Sequence, residues 1–341
     1  MSRERMVTSK PFTSEDEEFS WSLRPKNLSE YIGQKKLVEK LSLSIRAAIG
    51  RSEPIEHTLF YGPPGLGKTT LAHIIAEEMS SELISTTGPT LNKPGDLMGI
   101  LTNLKRGDVL FIDEIHRMNK TVEEFLYQAI EDFQIDFLLD SGPHSKMVKF
   151  KLEQFTLVGA TTRAGLLSAP LRDRFGIFHH LDFYPEEELS DIVKRSANLL
   201  NITIDSEGAF EIAKRSRGTP RIANRLLRRV RDYCQVKLNG KTNKEAAILA
   251  LDTEGIDIAG LDDLDRKYLQ IIINNYTGGP VGIEALSATI NEETDTLQDM
   301  VEPYLLKIGF LQRTRKGRMV SNQGYNHLGK QLPPNRQQDL F

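Results

Sequence analysis

The chain has 341 residues, of which 39% are hydrophobic and 27% are charged, and its formal net charge is −3. This length and composition predict a globular protein of two or three domains, and the near-neutral charge excludes a uniformly basic coat for nucleic acid but not a local basic patch. A single cysteine, Cys234, excludes an internal disulfide and favours the reducing cytoplasm, and no apolar run is long enough to span a membrane.

The first half of the chain predicts an α/β domain. Residues 1–20 are polar, which predicts a flexible tail rather than a secretory signal. From Trp21 onward, short apolar runs alternate with helical patterns, and this alternation predicts a parallel sheet covered by helices over residues 21–184. The predicted strands cover residues 58–61, 109–112 and 155–160, and the predicted helices cover 34–49, 69–79 and 121–130.

The segment GPPGLGKT, residues 62–69, matches a phosphate-binding loop and lies between a predicted strand and a predicted helix. Glycines such as Gly65 allow backbone N–H groups to surround phosphate oxygens, and the helix N-terminus favours negative charge. We expect Lys68 to reach the β- and γ-phosphates and Thr69 to bind Mg²⁺. The alternative is a Gly-rich turn with a solvated lysine, which the flanking strand and helix disfavour. The chain is therefore predicted to bind a nucleoside triphosphate.

Two carboxylates, Asp113 and Glu114, directly follow the apolar strand at residues 109–112. Ligand sites in open α/β sheets lie at the carboxyl ends of the strands. We expect Asp113 to hold Mg²⁺ and Glu114 to polarise the water that attacks the γ-phosphate. Paired acids after a strand can also simply begin a helix. Their presence beside a phosphate-binding loop favours the hydrolytic interpretation.

Residues 137–151 read as two β-like runs around a turn at residues 141–144. Met147, Val148 and Phe150 make one run unusually apolar for an exposed hairpin. Two interpretations remain open, a hairpin packed on the core and a hairpin that binds a partner.

Three further segments could complete a nucleotide site. The strand end GATTR, residues 159–163, could place a polar side chain beside the attacking water, or it could be an ordinary turn. LRDRFG, residues 171–176, could supply an arginine finger to a neighbouring subunit, or it could be a solvated loop. Arg221, in the first turn of a predicted helix, could contact phosphate, or it could be solvated.

The second half of the chain predicts helices followed by a basic hairpin. Residues 185–255 predict a small helical domain, and residues 256–332 predict three helices, the last interrupted by Pro303. Arg313 and Arg318 flank a hairpin turn, and no Asp or Glu lies between Pro303 and Gln338. Such a hairpin predicts a winged helix that contacts DNA phosphates, or else merely a charged, soluble turn. The predicted helices cover residues 186–200, 206–218, 219–238, 261–276, 281–290 and 296–308, with a polar tail at 333–341.

These motifs stand in the order of an AAA+ ATPase, and the chain resembles the RuvB family, bacterial motors that drive branch migration of Holliday junctions. The resemblance covers about residues 20–330. Its fold would be an AAA+ P-loop domain, a small helical lid and a C-terminal winged-helix domain. The matching segments are LRP (23–25), YIGQ (31–34), the phosphate loop, FIDEIHR (111–117), GATTRAG (159–165), LRDRFG (171–176), RGTPRIANRLLRRVRD (217–232) and EPYLLKIGFLQRTRKGR (302–318).

The resemblance implies roles for individual residues. Arg174 would be the finger that acts in trans, Arg221 the sensor of the lid, and either Thr161 or Thr162 the first sensor. Arg313 and Arg318 would contact DNA, whereas Thr294 stands where the family often has an arginine. ATP would be bordered by Leu23, Arg24, Gly65, Lys68, Thr69, Thr70 and Tyr184, and also, in the same or a neighbouring subunit, by Glu131, Asp132 and Phe133.

The resemblance also implies partners. The subunits would form a homohexameric ring on duplex DNA at Holliday junctions, would be loaded by RuvA, and would act with a RuvC-type resolvase in recombination and repair. The hairpin with Met147, Val148 and Phe150 is similar to one that docks on RuvA. Two other functions stay open at this point, a clamp-loader or initiator-like AAA+ switch and a DNA-binding scaffold that does not hydrolyse ATP.

Overall fold

A computed structural model describes residues 21–138 and 147–332. The two predicted tails and the turn at residues 141–144 lie outside these ranges, as do the side chains of Phe137, Leu138 and Met147. The described residues form two compact units. One consists of Arg24–Asp182, and the other contains Leu23 together with the chain from Phe183 onward. No helix of the described residues is long and apolar enough to cross a membrane.

The first unit is built on a five-stranded sheet in which every neighbouring pair is parallel. In spatial order the strands are β2 (Leu83–Thr87), β3 (Val109–Asp113), β6 (Thr156–Thr161), β1 (Thr58–Tyr61) and β7 (Ile177–His180). The three central strands are the three that the sequence predicts, and their side chains are almost entirely buried, as expected for a sheet covered on both faces.

Both edge strands were missing from the sequence prediction. β2 alternates between partly buried and exposed residues, and β7 buries only His179. Edge strands bury less surface than central ones, so their residues need not form a continuous apolar run. The sequence rules therefore detected the centre of the sheet and not its borders.

The described part of the first unit also contains five α-helices. They are α1 (Lys35–Arg51), α2 (Lys68–Glu78), α3 (Pro94–Leu101), α4 (Lys120–Glu131) and the short α5 (Ala169–Arg172). The predicted helices correspond to α1, α2 and α4, whereas α3 was not predicted. The side chain of Asn119 accepts a hydrogen bond from the Val122 amide and so caps α4. One side of α4 then buries Leu126, Ala129 and Ile130 against the core.

The predicted hairpin is an antiparallel pair of strands, β4 (Gln134–Leu138) and β5 (Met147–Lys151). Phe150 stands opposite the fully buried Ile135, and its half-buried ring packs against the core of this unit. Val148, on the same side of β5, is also half-buried, whereas Lys149 is exposed. Phe150 therefore contributes to the core, and any partner that binds here meets a hairpin anchored by that side chain.

His57 links three elements of the first unit from a half-buried position. Its Nδ1 accepts a hydrogen bond from the Leu157 amide at 2.9 Å, so Nε2 carries the proton and donates to the Ile130 carbonyl at 3.1 Å. Burial lowers the pKa of His57 from its ordinary value, although the Ile130 carbonyl and Glu56 act in the opposite direction. The neutral ring thus holds the end of α4 against β6.

We expect acid to destabilise this unit through His57. In the unfolded chain a histidine binds its proton at about pH 6.5, whereas the folded site resists protonation, so folding stability is lost as pH falls below about 6.5. One such histidine contributes a slope of up to about 1.4 kcal/mol per pH unit. Urea unfolding followed by circular dichroism between pH 7.5 and 5 should show a smaller pH slope for His57→Asn than for the wild type. His180→Asn, at an exposed position of β7, should keep the wild-type slope, and equal slopes for all three proteins would refute this role.

The second unit begins with four helices, α6 (Glu186–Leu199), α7 (Ser206–Arg215), α8 (Pro220–Lys237) and α9 (Lys244–Thr253). The first three match the sequence prediction, and α9 was not predicted. The fully buried Arg215 donates to Glu211 and Asp252 at 2.8 and 2.6 Å and to the Ile256 carbonyl. Because each buried charge has a partner, this ion-pair cluster ties α7 to the end of α9 without an orphaned group.

Five α-helices and a hairpin form the described C-terminal part of the second unit around a separate apolar core. The chain is helical on both sides of a π-helical turn at Leu297–Val301, which lies just before Pro303. The predicted interruption near Pro303 thus takes the form of a widened turn, since proline cannot donate the usual backbone hydrogen bond. The elements are α10 (Asp263–Asn275), α11 (Ile283–Ile290), α12 (Thr294–Thr296), α13 (Glu302–Lys307), β8 (Leu311–Thr314), β9 (Gly317–Val320) and α14 (Asn322–His327).

Arg217 connects the four-helix part of this unit to the C-terminal part. It lies in the loop before α8, and its buried guanidinium pairs with the fully buried Asp265 at 3.0 Å. The same group donates to the Met300 carbonyl at 3.1 Å and lies 4.8 Å from the centre of the Tyr304 ring. A buried, fully paired arginine of this kind fixes the geometry of the elements it joins.

Candidate nucleotide and DNA sites

The phosphate-binding loop runs from the end of β1 to the start of α2, as the sequence predicts. Gly62, Gly65 and Gly67 have φ values of 141°, 82° and 101°, a region that other residues enter only with strain. A side chain at Gly67 would place its Cβ 2.9 Å from the Tyr31 hydroxyl oxygen, and one at Gly62 would collide with the Leu181 carbonyl. The backbone conformation and the close packing together require glycine at these two positions.

Lys68 lies at the first position of α2 and is only 8% exposed. Its Nζ donates to the Gly62 and Pro63 carbonyl oxygens at 2.8 Å each, so the ammonium group lies against the inside of the loop. Thr69 and Thr70 follow in the first turn of α2 and are half-buried. A helix N-terminus, a ring of loop amides and a lysine thereby converge in the arrangement that binds a polyphosphate.

Asp113 ends β3, next to the strand end formed by β6. Ile112 stands opposite Gly159, and Tyr61 at the end of β1 stands opposite Thr161, so the three strand ends meet at one edge of the sheet. The Asp113 Oδ1 accepts a hydrogen bond from the Glu114 amide at 2.8 Å. Glu114 has the unusual φ of 47°, which turns the chain sharply after the strand.

The carboxylate of Glu114 is paired with Arg117 at 2.9 Å, and both side chains are substantially exposed. An exposed ion pair of this kind contributes at most about 1 kcal/mol, so it does not prevent Glu114 from turning toward a substrate. The sequence identified Glu114 but not its partner, although Arg117 stands three residues later in the same FIDEIHR segment.

The two threonines at the end of β6 differ in their surroundings. Thr161 is buried, and its hydroxyl bonds to the His116 Nδ1 at 2.9 Å and accepts from the Arg163 amide at 3.0 Å. Thr162 follows β6 and is half-buried. The Thr161 hydroxyl therefore braces the strand end against the turn that carries Glu114, whereas Thr162 continues beyond the sheet edge.

Arg174 forms an ion pair with Glu131. Its guanidinium donates to the Glu131 carboxylate at 3.1 and 2.5 Å and to the Pro170 carbonyl at 2.8 Å, and it lies 4.9 Å from the centre of the Tyr127 ring. Glu131 and Asp132 are exposed. The structure thus brings together two groups that the resemblance placed separately near a nucleotide, Arg174 at that of a neighbouring subunit and Glu131 in the same or a neighbouring subunit.

Phe133, the third residue of that border, has a φ of 49° and a half-buried ring. The ring lies 5.8 Å from that of Phe155 and 6.2 Å from that of His57, measured between ring centres. Phe133 therefore packs on the core from its place beside Glu131 and Asp132.

The remaining residues assigned to the nucleotide are divided between the two units. Arg24 belongs to the first unit, where burial and the neighbouring Arg24 charge lower the pKa of His73, on α2, to about 4. His73 was not singled out in the sequence, because its neutral state depends on burial in the folded chain and on a residue almost fifty positions away.

Leu23, Tyr184 and Arg221 belong to the second unit. The Leu23 carbonyl accepts from Arg195 at 2.8 Å, and the amide of the buried Tyr184 donates to the Gly218 carbonyl at 2.9 Å. Arg221 occupies the first turn of α8, as predicted.

The basic hairpin is formed by β8 and β9, in which Arg313 stands directly opposite Arg318. Both guanidinium groups are bound to the same carboxylate, that of the fully buried Glu302. The turn residues Arg315 and Lys316 are exposed. The sequence identified the two arginines but not Glu302, which lies in another element and has no local signature.

The oxygen ligands at the sheet edge suit magnesium. The Thr69 hydroxyl and the Asp113 carboxylate are hard oxygen donors, and Mg²⁺ in nucleotide sites is held by one or two such protein groups together with phosphate oxygens and water. Within residues 21–138 and 147–332 there is no group of three or more His, Cys, Asp or Glu side chains placed to hold a metal by themselves. The Thr69 hydroxyl and the Asp113 carboxylate fit a metal that is bound jointly with a nucleotide.

Comparison with known proteins gives consistent matches along most of the chain. Residues 23–181 match the Holliday junction DNA helicase RuvB P-loop domain, residues 184–257 the RuvB AAA lid domain, and residues 258–329 the RuvB C-terminal winged-helix domain. The four-helix and C-terminal parts of the second unit correspond to the last two domains.

Two curated relatives and one solved structure illustrate the similarity. A Holliday junction branch migration complex subunit RuvB of Desulfosudis oleivorans is 60% identical over 311 residues, which are 91% of each chain. Its counterpart in Fusobacterium nucleatum is 57% identical over 92% of this chain and 94% of its own. The structure of the Thermotoga maritima RuvB Holliday junction branch migration motor is 53% identical, with a TM-score of 0.85, over 92% of this chain and all of its own.

Proposed function

This chain belongs to the RuvB family and is a P-loop ATPase that drives branch migration of Holliday junctions, and we propose the following division of that work among its residues. The observation that carries the proposal is the meeting of three strand ends at one sheet edge, where the phosphate-binding loop, Asp113-Glu114 and Thr161-Thr162 lie side by side. A nucleotide bound to the loop would present its γ-phosphate to these side chains.

In the proposed hydrolysis, Lys68 leaves the loop carbonyls to neutralise the β- and γ-phosphates, with the amides around Gly65 and the hydroxyls of Thr69 and Thr70 beside them. Glu114 turns from Arg117 and accepts the proton of the attacking water. Mg²⁺, held by Thr69 and Asp113, would neutralise charge on the phosphate oxygens. Asp113 also fixes the turn by accepting from the Glu114 amide.

We assign the first sensor to Thr162. The Thr161 hydroxyl is already bound to His116 and to the Arg163 amide, so its orientation is set by the protein itself. Thr162, one residue further along, has its side chain beyond the end of the strand. Thr162 would orient the water. Leu23 and Arg24 would border the adenine, and Tyr184 would lie near the nucleotide. Arg221 would contact the phosphates and so couple the lid to the state of the nucleotide.

Arg174 is proposed to act on the nucleotide of a neighbouring subunit in a homohexamer. It is paired with Glu131 on the surface that also carries Asp132 and Phe133, which supports a subunit border at this place. On assembly, the guanidinium would exchange some of its contacts for the γ-phosphate of the adjacent site.

We propose the domain boundaries 21–184, 185–255 and 256–332 for the ATPase, lid and winged-helix domains. The hairpin of β4 and β5 is the proposed docking place for RuvA, with Val148 beside the anchored Phe150, and Met147 is kept as a third candidate contact. A RuvC-type resolvase would act on the same junction. The single cysteine favours a reducing, cytoplasmic location.

Arg313 and Arg318 are proposed to bind the phosphates of duplex DNA. Replacing Arg318 by alanine should weaken duplex binding about equally for all sequences and lower the slope of log Kd against log salt by about 1. Fluorescence anisotropy with a labelled duplex at several salt concentrations measures both quantities. Lys214→Ala, which removes an exposed charge from α7, is the matched control and should leave the slope unchanged. An unchanged slope for Arg318→Ala would move the contact elsewhere.

A further inference from the structure

Glu302 is the meeting point of the two hairpin arginines. Its side chain has no exposed surface, and its two oxygens accept from three side chains. Oε1 accepts from the Tyr268 hydroxyl at 2.6 Å and from the Arg318 Nε at 2.9 Å. Oε2 accepts from the Arg313 Nε at 2.7 Å and also from its Nη2. A carboxylate removed from water in this way depends entirely on these partners.

The position of Arg313 and Arg318 creates a need for such an acid. They are a directly opposed pair on β8 and β9, and two like charges facing each other across a strand pair repel. Glu302 relieves that repulsion, because it lies between the guanidinium groups and binds both. Tyr268 donates to Oε1, the oxygen that also accepts from Arg318, and burial together with the Glu302 charge raises the pKa of this tyrosine, so it remains a donor.

The bonds to Glu302 use only part of each arginine. Arg318 donates through Nε, and Arg313 donates through Nε and one terminal nitrogen, while the Arg313 side chain is still 47% exposed. A guanidinium group has five N–H donors in a fixed planar fork, so fixing one edge also fixes the direction of the other. Two long, flexible side chains are thereby held in one orientation before any ligand arrives.

We propose that Glu302 is a positioning residue for DNA binding, which orients Arg313 and Arg318 as a ready-made pair for the phosphate backbone. This inference rests on the proposed role of the two arginines in contacting DNA. The physical basis is preorganisation. Each flexible side chain that becomes immobilised on binding weakens the complex, and Glu302 already fixes the two arginines in the free protein.

If Glu302 has this role, removing its charge should change the affinity for duplex DNA in the direction opposite to that expected from simple electrostatics. Removing a negative charge from a DNA-binding surface ordinarily strengthens binding to phosphates. If Glu302 positions the arginines, Glu302→Gln should instead weaken duplex binding, by roughly fivefold to tenfold at moderate salt, because two side chains lose their fixed orientation. Glu284→Gln removes the same charge from an exposed position on α11 and should leave binding unchanged or slightly stronger.

The experiment is a double-mutant cycle on the full chain, with duplex Kd measured for Glu302→Gln, for Arg313→Ala/Arg318→Ala, and for all three substitutions together. We expect Glu302→Gln to weaken binding severalfold in the wild-type background and by less than twofold where the arginines are absent. ATP turnover without DNA and the thermal unfolding midpoint accompany each variant. Tyr268→Phe removes one bond to Glu302 and no charge, and it should give a smaller weakening in the same direction.

The possible results separate the two proposals. Unchanged or tighter binding by Glu302→Gln, with clear weakening by the arginine variant, would overturn the positioning role alone. Equal weakening by Glu302→Gln in both backgrounds would also overturn it, because the effect would then not pass through the arginines. No effect of the arginine variant itself would instead reject the proposed DNA contact.

Discussion

Replacing Glu114 by glutamine should lower ATP turnover by roughly a hundredfold or more, because general-base catalysis contributes about that much or more and the amide cannot accept the proton of the attacking water. The substitution keeps the size of the side chain at the turn after β3 and leaves the phosphate-binding loop untouched. Nucleotide binding should therefore persist, with a Kd within a few-fold of the wild-type value. Steady-state phosphate release and titration with a fluorescent ATP analogue measure the two quantities.

The control for this variant is Glu124→Gln, which makes the same chemical change at an exposed position of α4. It should keep wild-type turnover. If Glu114→Gln retained more than about a tenth of the wild-type rate, another group would have to be the base. If Glu114→Gln lost nucleotide binding, Glu114 would belong to the binding site, and the proposed catalytic role would be rejected.

Replacing Arg174 by alanine should reduce turnover by about a thousandfold, the lower end of the range for a finger that stabilises charge on the transferred phosphoryl group. Within its own chain, Arg174 is bound to Glu131, Pro170 and Tyr127 on the surface, so its loss should leave nucleotide binding by the same subunit intact. Arg172→Ala, an exposed arginine two residues away, should keep turnover within about twofold of wild type as the matched control.

A mixing experiment tests whether Arg174 acts across a subunit border. Subunits with Arg174→Ala keep an intact phosphate loop, and subunits with Lys68→Ala keep an intact finger. Where an Arg174→Ala subunit lies next to a Lys68→Ala subunit in the right order, the first supplies the phosphate loop and the second supplies the finger, so a complete site forms. A mixture of the two inactive variants should therefore recover part of the wild-type turnover. No recovery at any ratio, in mixtures shown to form joint assemblies, would contradict action in trans.

Features that depend on neighbouring residues in the sequence could be predicted, whereas contacts between distant residues could not. The phosphate-binding loop and Asp113-Glu114 depend on contiguous residues, so their positions at the edge of the sheet were predicted correctly. The central strands were found because burial on both faces requires uninterrupted apolar residues. β2 and β7 were missed because one side of an edge strand has no partner, and their threonines, serines and histidines weaken the apolar pattern.

The contacts that the sequence did not predict join distant positions. Glu302 reaches Tyr268, 34 residues away, and Arg217 reaches Met300, 83 residues away. No local spacing rule connects such residues, and each taken alone has the composition of an ordinary helix or loop. The choice between Thr161 and Thr162 was similarly open, because it depends on the hydrogen bond of Thr161 to His116 on another element.

The Arg174–Glu131 pair illustrates the same limit at the surface. The resemblance assigned both residues to a nucleotide border, but their spacing of 43 positions gives no indication that they meet. In the folded chain they form one polar surface beside Tyr127, so the two assignments become one structural hypothesis about the subunit border.

We propose that ATP hydrolysis at the edge of this sheet moves a DNA junction. The most direct measurement is the conversion of a synthetic four-way junction into its two duplex products, followed with time in the presence of Mg²⁺ and ATP. The wild-type protein, alone or with the junction-binding partner, should dissolve the junction, and Glu114→Gln should bind the junction without dissolving it. Steady ATP turnover by the wild type without any movement of the junction would contradict the account and favour an AAA+ loader or switch.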